Sequence, residues 1–98
     1  HKSSRGLGDV YKRQIRSSYT PDFILPQRVV EVKGVLTKEE RKKYIAVKTQ
    51  HPTLTICFCF QNANNKLSKA KKSLTYWQWA ERHGFPWCNK SIPKDWYE

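Results

Sequence analysis

Three ionisable side chains stand close together near the front of this chain: Asp22, Glu31 and Lys33. They lie in the string Pro21-Asp22-Phe23-Ile24-Leu25-Pro26-Gln27-Arg28-Val29-Val30-Glu31-Val32-Lys33. Side chains of a strand alternate between faces, so Glu31 and Lys33 share one side while Val30 and Val32 take the other. An acid and a lysine on an otherwise apolar strand are costly to hold near a core unless they have chemistry to perform. With Asp22 on a neighbouring strand, two carboxylates converge on one point. That is a site for a hard divalent cation, which takes oxygen ligands and keeps water. Lys33 would then stand beside the metal-bound water.

The elements around these residues can be read from local signals. Residues 15–25 form an extended lead-in and a first strand ending near Pro26, and Pro26-Gln27-Arg28 makes the turn. Val29 to Lys33 is a second strand, closed by Gly34. Thr37 is an N-cap, with Glu39 and Glu40 in the first helical turn and Lys48 late, the order a helix dipole favours. This helix runs to about Gln50 and is stopped by Pro52. Its apolar stripe includes Tyr44, Ile45 and Val47, and Arg41, Lys42 and Lys43 lie mostly on the wet side. From Leu54 to Phe60 the alternation is clean: Leu54, Ile56, Phe58 and Phe60 face one way, and Thr55, Cys57 and Cys59 the other. Both faces are largely apolar, which describes a central strand covered on both sides. Residues 61–73 are polar and basic without an apolar period and read as a loop. Thr75-Tyr76-Trp77-Gln78 fits a capping box opening a second helix, and Gly84 fits its C-terminal stop. Residues 85–98 are loop-rich, with Trp87 and Trp96 covering the edge of the core. The order strand, strand, helix, strand, helix predicts a small α/β core with a mixed sheet.

At 98 residues the chain has room for one small domain. Nineteen Lys and Arg against eight Asp and Glu give a net charge of +11. Such a balance points to a polyanion, most simply nucleic acid, bound through phosphate neutralisation and counterion release. The alternative is a basic protein without that partner. No apolar run approaches the length of a membrane span, and no signal-peptide core stands near the start. The three cysteines are an odd count. Cys57 and Cys59 sit on one face of a strand, Cys88 stands alone, and reduced, buried thiols are expected. His83 with Cys88 does not supply the four ligands of a structural zinc site. Residues 1–14 look foreign to the rest and resemble a translated adapter extension, so the expected division is a non-native extension at 1–14 and a core domain at 15–98. Setting the extension aside leaves the remainder strongly basic.

Pro21-Asp22 followed by Glu31-Val32-Lys33 resembles the PD-(D/E)xK nuclease motif. The likeness extends to further blocks in order: Tyr19-Thr20-Pro21-Asp22-Phe23-Ile24-Leu25-Pro26, Glu31-Val32-Lys33-Gly34, Glu40-Arg41-Lys42-Lys43-Tyr44, Gln50-His51-Pro52, Lys66-Leu67, His83-Gly84 and Ile92-Pro93-Lys94-Asp95-Trp96. From about Ser18 to Trp96 the sequence resembles the bacteriophage endonuclease I family of Holliday junction-resolving nucleases.

That resemblance implies a small restriction-endonuclease-like α/β core, with flanking helices and with the family's N-terminal helix missing here. It implies hydrolysis of phosphodiesters at branched DNA, four-way junctions above all, in DNA recombination. Mg²⁺ or Mn²⁺ would be the cofactor. Asp22 and Glu31 would be the metal ligands, joined by the backbone carbonyl of Val32, as in related nucleases. Lys33 would orient or deprotonate the attacking water and stabilise negative charge. Arg41, Lys42 and Lys43 are either a solvated helix face or phosphate contacts. Lys66, Lys69, Lys71 and Lys72 are either a disordered loop or one that tracks DNA. Family members carry a further essential acid on a helix upstream, and that role is not assigned to Asp9. They are homodimers whose two copies exchange N-terminal segments, acting in the cytoplasm of a bacterial host with no membrane attachment. Truncation of that part would compromise activity. A non-catalytic nucleic-acid-binding module is the competing expectation. A sequence-specific restriction-type nuclease shares the motif but not the flanking blocks.

Overall fold

The computed structural model describes residues 19–98. The sequence readings that fall on 1–18, including the adapter-like extension and any exchanged N-terminal segment, lie outside the described residues. β1 spans Phe23–Ile24, β2 Val29–Lys33, α1 Lys38–Gln50, β3 Ile56–Phe60, α2 Tyr76–Arg82 and β4 Trp87–Asn89; a 3₁₀ turn covers Lys94–Tyr97. The four strands form one sheet in the order β1-β2-β3-β4, with β1 antiparallel to β2 and the other pairs parallel. It is the mixed-sheet α/β core expected from the order of elements.

Local chemistry explains the boundaries. The β1–β2 turn closes with the Leu25 amide donating to the Arg28 carbonyl at 2.8 Å, and Pro26 presets the φ such a turn requires. Thr37 caps α1 through a reciprocal box with Glu40, and Thr75 caps α2 in the same way with Gln78. Gly84 closes α2 at φ 78°, a backbone state that costs a glycine least.

Each parallel pair needs a crossover, and each crossover here contains a helix: α1 between β2 and β3, α2 between β3 and β4. Both helices cover the same face. Tyr44 and Val47 of α1 and Tyr76, Trp79 and Ala80 of α2 join Val29, Ile56, Phe58 and Phe60 in one cluster. Phe58 is its centre, with ring centroids 5.0 Å from Tyr44, 5.2 Å from Phe85 and 5.6 Å from both Phe60 and Trp79. The opposite face buries Val30, Cys57, Cys59 and Cys88 under Leu25, Val32, Ile92 and Trp96. All five residues of β3 are buried, as a central strand covered on both sides requires.

Three readings need correction. Among the described residues of the first extended segment, only Phe23–Ile24 pairs as strand, because Pro21 has no amide to continue the ladder. The C-terminal segment is more ordered than a loop: Phe58, Cys59 and Phe60 pair with Trp87, Cys88 and Asn89. Cys88 therefore does not stand alone but lies beside Cys59, and all three thiols are free and buried.

Candidate active site

The site forms where β1 meets β2, and its geometry follows from register. Phe23 pairs with Val30 and Ile24 with Val29. Continued toward the N-terminus, the same register sets Asp22 against Glu31 and Pro21 against Val32. Directly opposed residues of an antiparallel pair share a face, so the two carboxylates fall on the same side. Proline carries no N–H, so position 21 has no donor for the Val32 carbonyl. The Val32 amide in turn donates to Asp22 Oδ2 at 2.8 Å. The carboxylate thus stands in for a backbone acceptor to the Val32 amide.

Glu31 is the buried charged residue of the described chain, at 3% exposure. The Tyr44 hydroxyl donates to its Oε1 at 3.2 Å, while Oε2 is buried without a hydrogen bond of ordinary geometry. Burial raises the Glu31 pKa above the usual carboxylate value, and the negative charge of Asp22 pushes the same way. The Tyr19 and Tyr44 hydroxyls and the Lys33 charge pull against them without prevailing. A buried carboxylate whose charge is disfavoured, with a second carboxylate nearby, gains from a cation between them.

Lys33 lies on the Glu31 face as the strand alternation requires. Its Nζ donates to Glu40 Oε2 at 2.8 Å and stands 5.2 Å from the Tyr44 ring centroid. Burial works to lower its pKa, but the hydrogen bond to Glu40 and the Tyr44 contact override it and raise it above the usual lysine value. The Glu40 pKa is lowered, chiefly by that same bond. A lysine held protonated serves charge stabilisation and orientation better than it serves as a base. Tyr44 is itself pushed up to about 12 by burial, with the nearby Glu31 charge adding to the effect, so its hydroxyl remains a donor at neutral pH.

Two carboxylates plus a backbone carbonyl are a donor set a small hard cation accepts, since Mg²⁺ retains several waters and needs only one or two carboxylates. Among the described residues no group of three or more His, Cys, Asp and Glu side chains converges as a metal site. The donors present fit a water-rich Mg²⁺ or Mn²⁺ and not a cage made wholly of protein ligands.

The basic residues divide. Lys42 and Lys43 are exposed on α1, and the Lys43 Nζ lies 5.2 Å from the Tyr44 ring centroid and 5.8 Å from that of Tyr19. It therefore borders the acidic site. Arg41 is half-buried, and its Nη1 donates to the Leu36 carbonyl at 2.9 Å, so part of its guanidinium is committed to the loop before α1. Lys66, Lys69, Lys71 and Lys72 are exposed on the loop from β3 to α2. That loop is tied by a Lys66–Thr75 bridge and by the Lys66 Nζ donating to the Lys71 carbonyl at 3.3 Å. His51 and His83 are half-buried at the C-caps of α1 and α2.

The sequence reading missed Glu40 and Tyr44 as members of the site, and Tyr19 beside them. A signal existed. Thr37-x-x-Glu40 is a capping-box spacing, and Glu40 and Tyr44 are one helical turn apart on one face.

A buried acid, a second acid across the strand pair and a lysine two positions on define a small nuclease-like α/β core. The family model for phage endonuclease I matches residues 9–98. Endonuclease I of Escherichia phage T7 is 39% identical over 80 residues, covering 81% of this chain and 53% of that protein. Endodeoxyribonuclease 1 of Enterobacteria phage T3 is 40% identical over 76 residues, covering 76% of this chain and 49% of that protein. This chain belongs to the phage endonuclease I family, and it spans about half the length of the curated relatives it matches. Among the described residues no helix is long and apolar enough to cross a membrane.

Proposed function

We propose that this chain carries the catalytic core of a divalent-metal-dependent endonuclease that hydrolyses phosphodiesters in branched DNA of the Holliday junction type. The observation that carries the reading is the buried Glu31 carboxylate, 3% exposed, set by register against Asp22 with Lys33 on its face. The relatives' names, an endonuclease and an endodeoxyribonuclease, support DNA as substrate. Asp22, Glu31 and the Val32 carbonyl would hold Mg²⁺ or Mn²⁺. When bound, that ion supplies an activated water and neutralises charge on the phosphate. The chain's own residues do the rest. Tyr44 orients Glu31 by donating to Oε1, and Asp22 fixes the β1 end through the Val32 amide. The Lys33 ammonium faces the developing negative charge. Lys42, Lys43 and the lysines of the 66–72 loop would engage phosphates, which position DNA without reading its sequence. A junction would then be selected by the shape its strands impose. Pairing of two copies through exchanged N-terminal segments, as the resemblance implies, concerns residues outside those described.

The test is nicking of a four-way junction and of linear duplex in Mg²⁺ and Mn²⁺. Junction cleavage lost in Lys33→Ala and Asp22→Asn, with junction binding kept, is the expected result. Equal cleavage of plain duplex would remove junction selectivity. One observation favours a second reading: among the described residues no group of three or more His, Cys, Asp and Glu side chains is placed to hold a metal. A binding module without catalysis would hold the junction and leave it intact in either metal.

A further inference from the structure

The carboxylate of Glu40 does two things at once. Its Oε1 accepts the Thr37 amide at 3.1 Å and the Thr37 hydroxyl at 3.3 Å, while the Glu40 amide donates to Thr37 Oγ1 at 3.1 Å. That is a complete capping box and uses one oxygen. The other, Oε2, takes the Lys33 ammonium at 2.8 Å. Capping alone does not require a charge. In this same chain the box at the start of α2 is built on Gln78, whose Oε1 accepts the Thr75 amide at 2.9 Å, and glutamine serves a capping box as well as glutamate. The capping bonds therefore do not need the negative charge at position 40, which serves the helix dipole and the Lys33 ammonium.

Geometry gives that contact a direction. Lys33 Nζ is 5.2 Å from the Tyr44 ring centroid, and Tyr44 is the residue whose hydroxyl reaches Glu31. Glu40 and Tyr44 lie one turn apart on α1. The helix thus grips the β2 acid with one residue and the β2 lysine with another. A lysine stem carries several rotatable bonds and the rotamer freedom that goes with them. Left alone, the ammonium would sweep solvent rather than stay on the Glu31 side.

We infer that Glu40 is a positioning residue: it locks the Lys33 ammonium over the acidic site through the N-terminus of α1. The inference rests on the nuclease reading above and names the device that aligns its lysine.

The test separates cap from lock. Glu40→Gln keeps the box and removes the charge, whereas Thr37→Ala removes the cap and keeps the ion pair. In junction cleavage, Glu40→Gln should lower kcat about 10- to 100-fold, as a misplaced group does, with KM for the junction and the melting temperature near those of the parent. Thr37→Ala should lower the melting temperature and leave kcat within about twofold. Glu40→Asp, which retains the charge, should recover part of the loss. A second readout does not depend on cleavage: amine acylation mapped by mass spectrometry. In the parent, Lys33 should react more slowly than the exposed Lys42, and Glu40→Gln should speed Lys33 while leaving Lys42 unchanged. An unaltered kcat in Glu40→Gln, or unaltered Lys33 reactivity, would reduce Glu40 to a cap and overturn the inference. A parent that cleaves nothing in either metal, with the family's N-terminal helix supplied as well as without it, would instead overturn the nuclease reading, and the positioning role with it.

Discussion

Glu31→Gln should make the metal-free protein more stable while abolishing its response to metal. Glu31 is 3% exposed and receives a hydrogen bond from Tyr44, and Asp22 adds a like charge nearby. Its folded pKa is raised, so its contribution to stability is full below the unfolded value and is lost as pH rises through the folded one. Once the pH exceeds that raised value, the metal-free fold bears an ionised, buried carboxylate. Glutamine keeps the shape and can still accept from Tyr44. Neutralising an unfavourable buried charge at a functional site is worth about 1–2 kcal/mol, in the range of common stabilising substitutions. For a domain of this size that is a melting temperature higher by about 5–15 °C. The parent should regain stability on metal addition, by about 2.7 kcal/mol at a hundredfold excess over Kd. Calorimetric melts at neutral pH, in EDTA and then in stepped Mg²⁺ and Mn²⁺, test both halves. The gap between variant and parent in EDTA should widen as pH is raised above the ordinary carboxylate value of 4.5. The reasoning fails if Glu31→Gln melts below the parent in EDTA, or if both proteins gain equally from metal.

Asp22 has a structural task at the Val32 amide and, on the proposed function, a chemical one, and two substitutions separate them. Asp22→Asn can still accept the Val32 amide and should lose cleavage with its melt kept, whereas Asp22→Ala should also lose about 1 kcal/mol of stability, read from denaturant melts. Lys42→Ala should weaken junction binding evenly across sequences and shallow the salt dependence by about one unit of slope; an unchanged slope in binding titrations would remove this residue from the interface. Cys57 and Cys88 are pushed up to about 11 and about 12, mainly by burial. Their thiols should therefore stay unreactive toward iodoacetamide at pH 8 until the fold opens. Because these are acids with raised folded pKa values, the stability they contribute is present below the ordinary thiol value of 9.0 and is lost as pH climbs through 11 to 12. Melts over that alkaline range check the sign.

The features legible in the sequence are those with short-range causes. β2 begins and ends where the β-branched run and Gly34 placed it, and Val29–Lys33 is the observed strand. The Thr37 N-cap and the Thr75–Gln78 capping box are local signals, and both formed. The alternation through β3 sorted its side chains correctly between the two apolar clusters. What escaped depends on distant partners. Trp87–Asn89 is too short to show a period, and it becomes a strand because Phe58, Cys59 and Phe60 offer it an edge. The companionship of Cys59 and Cys88 follows from that pairing and could not precede it. In the site, Asp22, Glu31 and Lys33 were visible as residue types at a spacing. The links that hold them in place, Tyr44 to Glu31 and Glu40 to Lys33, run between helix and strand, and strand spacing alone does not show them.

The two carboxylates differ in how firmly the fold holds them. β2 is fixed along its whole length by five register pairs with β3, and Val29 and Val30 are fully buried on opposite faces. A slip of one residue would turn those valines and Glu31 to the wrong sides, so the Glu31 end is rigid. β1 has two paired residues, Phe23 and Ile24, and both are substantially exposed. It is an edge strand with little burial to pin it. The bond from the Val32 amide to Asp22 therefore does more than orient a side chain: it extends pairing past the point where Pro21 ends it. On the proposed function, adjustment of the carboxylate spacing to an ion or a phosphate should come from the β1 side, by movement of Asp22 against a stationary Glu31.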